Sequence, residues 1–193
     1  MTSIHPIEAE SYRILAERAD LSRFGPLAAA VVARVIHASA DLAYAETMVV
    51  DDAAVRAGVA ALAAGAPVVV DVEMVRHGIT RVDARCYLPA AAAHDTTRSA
   101  AGIAIAAERH PDGAVVVVGC APTALDEVLR LYEAGRVRPA LVVGMPVGFV
   151  GAAESKARLR ASGLAAISNV GEKGGSAVAA AAVNVLVRMA VDG

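Results

Sequence analysis

Four short runs of β-branched and small apolar residues recur along the chain without alternating: PVVVDV (67–72), AVVVVG (114–119), PALVVG (139–144) and LAAIS (164–168). A strand with one wet face alternates apolar and polar side chains. A continuous run marks a strand covered on both faces, the condition of a parallel sheet. Parallel neighbours cannot be joined by a tight hairpin and need a crossover between them. The intervening stretches supply it: helical spacing predicts helices over 8–20, 26–40, 51–64, 97–109, 123–134, 152–162 and 175–190. Strands alternating with helices predict right-handed βαβ units and a doubly wound, mostly parallel α/β sheet with helices on both faces. TMVV (47–50) reads as a weaker fifth strand.

Boundary residues agree with these elements. Asp51 precedes AAVRAGVAALAA as an N-cap, and Gly65 with Pro67 stops that helix. Pro122 and Thr123 open APTALDEVLRLYEAG, and Gly135 closes it. The stretch VDARCYLPAAAAHDTT (82–97) is irregular and is expected to be a loop near the active end. With no linker, repeat or low-complexity tail, 1–193 reads as a single domain, long enough to bury roughly 70 % of its unfolded surface.

Mean hydropathy is high, +0.53. Even so, the longest uncharged run near the middle, AGVAALAAGAPVVV (57–70), has 14 residues and is interrupted by Gly65 and Pro67. A membrane-spanning helix wants about 20, so none is expected. The start, MTSIHPIEAESYR, lacks a basic-then-apolar signal pattern. Two isolated cysteines, Cys86 and Cys120, make neither a disulfide framework nor a zinc site, and a reducing, cytoplasmic setting follows. A net charge of −2, 3 % aromatics and no tryptophan leave no basic stripe or stacking platform for nucleic acid. Any anionic ligand must meet locally gathered cations, mostly arginines, because the lysines are Lys156 and Lys173 alone.

In an open parallel sheet, ligands bind beyond the carboxyl ends of the strands. The segments following the runs are EMVRHGITR (73–81), CAPTAL (120–125), MPVGFVGAAESK (145–156) and NVGEKGGS (169–176). GMPVGFVG has the spacing G-x₃-G-x₂-G rather than a dinucleotide fingerprint, and the acid that follows, Glu172, falls in a loop. Its glycines are better explained by a tight turn passing close to another segment. GEKGGS opens the last helix. Its backbone N–H groups, with Lys173 and Ser176, form an anion nest or, more plainly, a solvated turn with a surface lysine. His5, His94 and His110 sit in polar contexts and read as surface residues, while His77 is placed to face the site. No histidine pair shares i, i+4 spacing with a carboxylate, so no metal site is expected. No serine lies in G-x-S-x-G, so neither is a hydrolase triad.

The remaining chemical candidate is His37, in RVIHASADL. Arg34 at i−3 and Asp41 at i+4 fall on its helical face, beside an apolar stripe of Val31, Val35 and Ala38. A lone imidazole there is usually structural. Pairing with a cation and a carboxylate opens general acid–base work, and spacing alone leaves both readings standing.

RVIHASADL, DVEMVRHGITR, TRSAAGI, APTALDEVL, RPALVVGMPVGFVGAAESK and GEKGGSAVAAAAVNVL together resemble the precorrin-8X methylmutase (precorrin isomerase) family, and HPIEAESYRILAERADLSRF resembles its N-terminus. The likeness runs from about residue 5 to residue 187. It implies a Rossmann-like fold and a homodimer. The implied enzyme of cobalamin biosynthesis uses no cofactor and moves a methyl group from C11 to C12 of a corrin precursor, giving hydrogenobyrinic acid. It also implies that His37 is the catalytic residue and that Ser11 and Arg34 contact the substrate; the role expected of the imidazole is to donate a proton, or a strong hydrogen bond, to the ring near C11.

Acid arms on such a ring suit charge-assisted hydrogen bonds from Arg34, Arg98 and Lys173, with Ser11, Thr80, Ser99, Thr123 and Ser176 beside them. Two residues depart from the family pattern: Cys120, where asparagine is usual, and Glu172, where a basic residue is usual. The region 82–95 is also shorter. The implied partners are the tetrapyrrole, a second copy and neighbouring pathway enzymes. Competing readings are the cobalt-loaded version of the reaction, a non-catalytic corrinoid carrier and a nucleotide-dependent oxidoreductase.

Overall fold

The computed structural model describes residues 5–90 and 96–192. Its centre is a six-stranded sheet of β1 (Met48–Val49), β2 (Val68–Val70), β3 (Ala84–Cys86), β4 (Val115–Val118), β5 (Leu141–Gly144) and β6 (Ala166–Asn169), in the order β1-β6-β5-β4-β2-β3. All neighbours are parallel except β1, which pairs antiparallel with β6 at one edge. Val68, Val69 and Val70 stand opposite Val115, Val116 and Val117 in register.

The continuous apolar runs divide their side chains between two cores. Val68, Val70, Val115, Val117, Leu141 and Val143 pack with α2 (Pro26–Ser39), α4 (Asp52–Ala63), α5 (Glu73–Gly78) and α9 (Ser176–Asp192). Val69, Val118 and Val142 face the opposite way, towards α6 (Arg98–Arg109), α7 (Pro122–Glu133) and α8 (Ala152–Ala161). Successive strand side chains point to opposite faces, so a strand covered on both sides needs apolar residues at every position. Each fully buried valine contributes about 1.5–3 kcal/mol.

Helix ends follow local chemistry. α1 (Pro6–Arg18) starts two residues earlier than the spacing predicts, because His5 accepts a hydrogen bond from the Ile7 N–H and Pro6 fits the first turn. Asp51 caps α4 through the Ala54 N–H at 2.7 Å. Gly65 and Gly135 turn the chain at positive φ, 77° and 69°. α2 stops at Ser39, and Ala40 takes the left-handed conformation (φ 53°). Asp41 therefore lies beyond the helix and does not share the face of His37, contrary to the i+4 spacing.

The stretch 82–97 is not all loop: it contains β3 and a 3₁₀ turn at Leu88–Ala90. A three-residue edge strand, ARC, with one buried residue carries too little apolar pattern to show in the sequence. α3 (Tyr44–Thr47) and α5 are likewise too short for a periodic signature. His94 lies outside the described residues. Among those described, no helix is long and apolar enough to cross a membrane.

Candidate active site

The strand order reverses between β2 and β4: β3 lies on one side of β2, while β4, β5 and β6 extend on the other. Such a switch point opens a crevice at the carboxyl ends of the strands. Here one buried carboxylate bridges it. Asp71, immediately after β2, accepts hydrogen bonds from the backbone N–H groups of Gly119 (3.0 Å), Cys120 (2.9 Å) and Ala121 (2.9 Å), the turn between β4 and α7. In nucleotide-binding sheets a phosphate takes such groups. The chain's own carboxylate already occupies them, a physical reason against the nucleotide-dependent reading. Burial pushes the Asp71 carboxyl above the usual range, against the three N–H groups that favour its charge, and burial with the Asp71 charge raises the Cys120 thiol.

His37 lies in the last turn of α2 and is half-buried. Its Nδ1 is 2.8 Å from the Ser11 hydroxyl of α1, and its ring stacks on Tyr12 with centroids 5.0 Å apart and planes 10° from parallel. One turn earlier, Arg34 reaches Glu8 of α1 at 3.3 Å. α1 thus meets α2 along its polar side and buries only Leu15. Beside the imidazole, an open depression of about 120 Å³ is lined by Ser11, Leu15, Arg18, Ile36 and Leu42, among others. The ring is therefore not enclosed in apolar filling.

Asp41 instead pairs with Lys173, Nζ to Oδ2 at 2.6 Å, and this ammonium holds the Asp41 carboxyl below the usual range. The contact ties the end of α2 to the loop between β6 and α9. That loop crosses the turn after β5: Gly175 N–H donates to the Met145 carbonyl (2.9 Å) and Gly148 N–H to the Glu172 carbonyl (3.2 Å). A Cβ on Gly174 would lie 2.3 Å from the Met145 oxygen, so only glycine fits there. Ser176, the first residue of α9, is buried against the end of β4, where a Cβ on Gly119 would come within 3.1 Å of its Cα.

The other expected contacts fall into two places. Arg98 and Ser99 open α6, next to Thr97, whose hydroxyl meets that of Thr123 in the first turn of α7 at 2.7 Å. This cluster also stands at the carboxyl ends of the strands, but on the side of the second core. Thr80 is tied through its N–H to Asn184 at 2.8 Å. Asn184 lies about 12 Å along α9 from Ser176, at 1.5 Å per residue. His77 is exposed and turns back to the Glu73 carbonyl at 2.8 Å. His110 is not a free surface residue: it meets the Tyr87 hydroxyl at 2.8 Å and Arg85 at 3.1 Å.

Sequence spacing missed Tyr12, Glu8 and Asp71. The first two lie in another helix from the residues they contact. For Asp71 a trace existed, because a carboxylate ending a run of buried valines needs partners. His37, Ser11, Tyr12, Arg34 and Glu8 form one polar group where α1 crosses α2. The Asp41–Lys173 pair is a separate one, just past the end of α2.

Comparison with known proteins places the chain as a whole. The family model for precorrin-8X methylmutase matches residues 6–189. A Sinorhizobium protein named precorrin-8X methylmutase is 41 % identical over 196 residues, covering 94 % of this chain and 93 % of its own. Cobalt-precorrin-8 methylmutase of Methanocaldococcus jannaschii is 36 % identical over 176 residues, 88 % of this chain and 83 % of its own. A solved structure of precorrin-8x methyl mutase from Thermus thermophilus superposes with a TM-score of 0.87 at 39 % identity, covering 96 % of both chains. By sequence over nearly its whole length and by fold, the chain belongs to the precorrin-8X methylmutase family.

Proposed function

We propose that the chain is an isomerase of cobalamin biosynthesis. In this reading it moves the methyl group of precorrin-8X from C11 to C12, giving hydrogenobyrinic acid, and works as a single catalytic domain in a cytoplasmic homodimer. The observation that carries this is His37: an imidazole anchored through Nδ1 by Ser11, beside an open depression, with Arg34 one turn away. With Nδ1 engaged, Nε2 is the nitrogen available to the macrocycle.

His37 lends a proton to a ring nitrogen or meso carbon near C11, leaving the conjugated system electron-poor. The C11–methyl bond breaks as the C12–methyl bond forms, so the migrating group never leaves the molecule, and the proton then returns to His37. Arg34 and Lys173 take acid arms of the substrate, and the polar group at Arg98, Ser99 and Thr123 takes others across the sheet edge. Rigid holding selects one face for migration.

The test is incubation with precorrin-8X, and separately with its cobalt-loaded counterpart, followed by the visible spectrum. Rearrangement without NAD(P)H is expected, and the faster substrate identifies the natural ring. Binding without rearrangement would make the chain a carrier, and a requirement for NAD(P)H an oxidoreductase. Arg34→Ala should weaken product binding about tenfold, the equivalent of ~1.5 kcal/mol for a charge-assisted bond, and flatten its salt dependence. A dissociation constant unchanged at every salt concentration would remove Arg34 from the site.

A further inference from the structure

Among the described residues, no fully buried side chain is larger than that of Lys156, on α8. Its ammonium makes no ion pair among them. Instead, Nζ donates to the Lys173 carbonyl at 2.5 Å and lies 3.3 Å from Asn169 Oδ1. Asn169 Nδ2 donates to the same carbonyl at 2.8 Å, and Arg160, one turn further along α8, donates to the Asn169 carbonyl at 2.8 Å. These groups hold the loop 170–175 from beneath, and Lys173 leaves its upper side for Asp41.

A buried charge without an acidic partner is a poor source of stability. Methionine would fill much the same volume without that burden. We infer that Lys156 is a positioning residue: it pins the Lys173 carbonyl so that the glycine-rich loop presents the Lys173 ammonium to an acid arm of the substrate. The inference deepens the proposed function and rests on its assignment of this loop to the substrate's carboxylates.

The loop needs such an anchor because Gly171, Gly174 and Gly175 leave its backbone with much freedom to lose on binding. The buried charge also adds positive potential beneath the place an anion takes. Burial, with the Arg160 guanidinium acting in the same direction and Glu172 opposing, lowers the Lys156 amine to about 8 from 10.5. The unfolded chain therefore binds the extra proton between those two values, so stability rises with pH through that window.

Lys156→Met tests the inference. It should raise the thermal midpoint at pH 7 by on the order of 5 °C, with the difference from wild type closing as pH approaches 10. At the same time, amide exchange at residues 170–175 should accelerate. Binding of hydrogenobyrinic acid should weaken about tenfold, with KM rising more than kcat falls. Lys156→Gln, which keeps a donor without the charge, should lie between. A lower midpoint, unchanged loop exchange, or failure of both variants to fold would make Lys156 merely structural and overturn the inference. Lys173→Met separates the two levels: if it binds the product as tightly as wild type, the assignment of the loop is wrong, and loop exchange in Lys156→Met still decides whether Lys156 positions it.

Discussion

Replacing His37 by alanine is expected to lower turnover by roughly 10²–10⁴-fold, the usual contribution of a positioned acid–base group. Hydrogenobyrinic acid should still bind, because Arg34 and Lys173 remain. The two readouts separate chemistry from affinity: a single-turnover spectrum follows rearrangement, and a product titration follows binding. Ser11→Ala should give a smaller loss of turnover, since it frees Nδ1, held at 2.8 Å, without removing the ring. Near-normal turnover in the His37 variant would refute the proton-donor role. Loss of both binding and turnover would show that the imidazole mainly shapes the depression.

The second large effect is expected on stability. Asp71 is 1 % exposed and satisfies three backbone N–H groups at the switch point. Asp71→Ala strands those donors, each worth about 1–3 kcal/mol when buried and unsatisfied. Relief of the buried charge and water entry offset part of this, leaving a net loss of roughly 3 kcal/mol, about 10 °C in midpoint for a chain of this size. Asp71→Asn keeps one acceptor but turns an NH₂ towards a donor, so it should lose less.

A pH series checks the same residue. Because burial holds the Asp71 carboxyl above its ordinary value, the folded chain binds that proton more tightly than the unfolded one. Its titration therefore removes stability as pH rises through the raised value, and Asp71→Asn should abolish that dependence. A chemical-denaturation midpoint for Asp71→Ala equal to wild type would show that the β4–α7 turn holds itself without the carboxylate.

Much of the fold was legible before any coordinates. The valine runs at 68–70, 115–118 and 141–144 are strands, and the caps at Asp51, Gly65, Pro122 and Gly135 sit where the sequence puts them. What escaped was short or at an edge: β3 with three residues, α3 with four and α5 with six. Periodicity needs several repeats to stand out, and none of these has them. At the site, RVIHASADL pointed to His37, but its assumed helical partner Asp41 was misplaced by one left-handed residue, Ala40.

The sequence by itself determined the doubly covered parallel sheet and the family, because apolar period and motif are properties of neighbouring residues. Only the tertiary structure decided what each polar group does. Ser11 and His37 are 26 residues apart, Asp71 and Ala121 50, and Asp41 and Lys173 132. A hydrogen bond or ion pair across such a separation depends on how helices and loops stack at one end of the sheet, and it leaves no repeat in the chain.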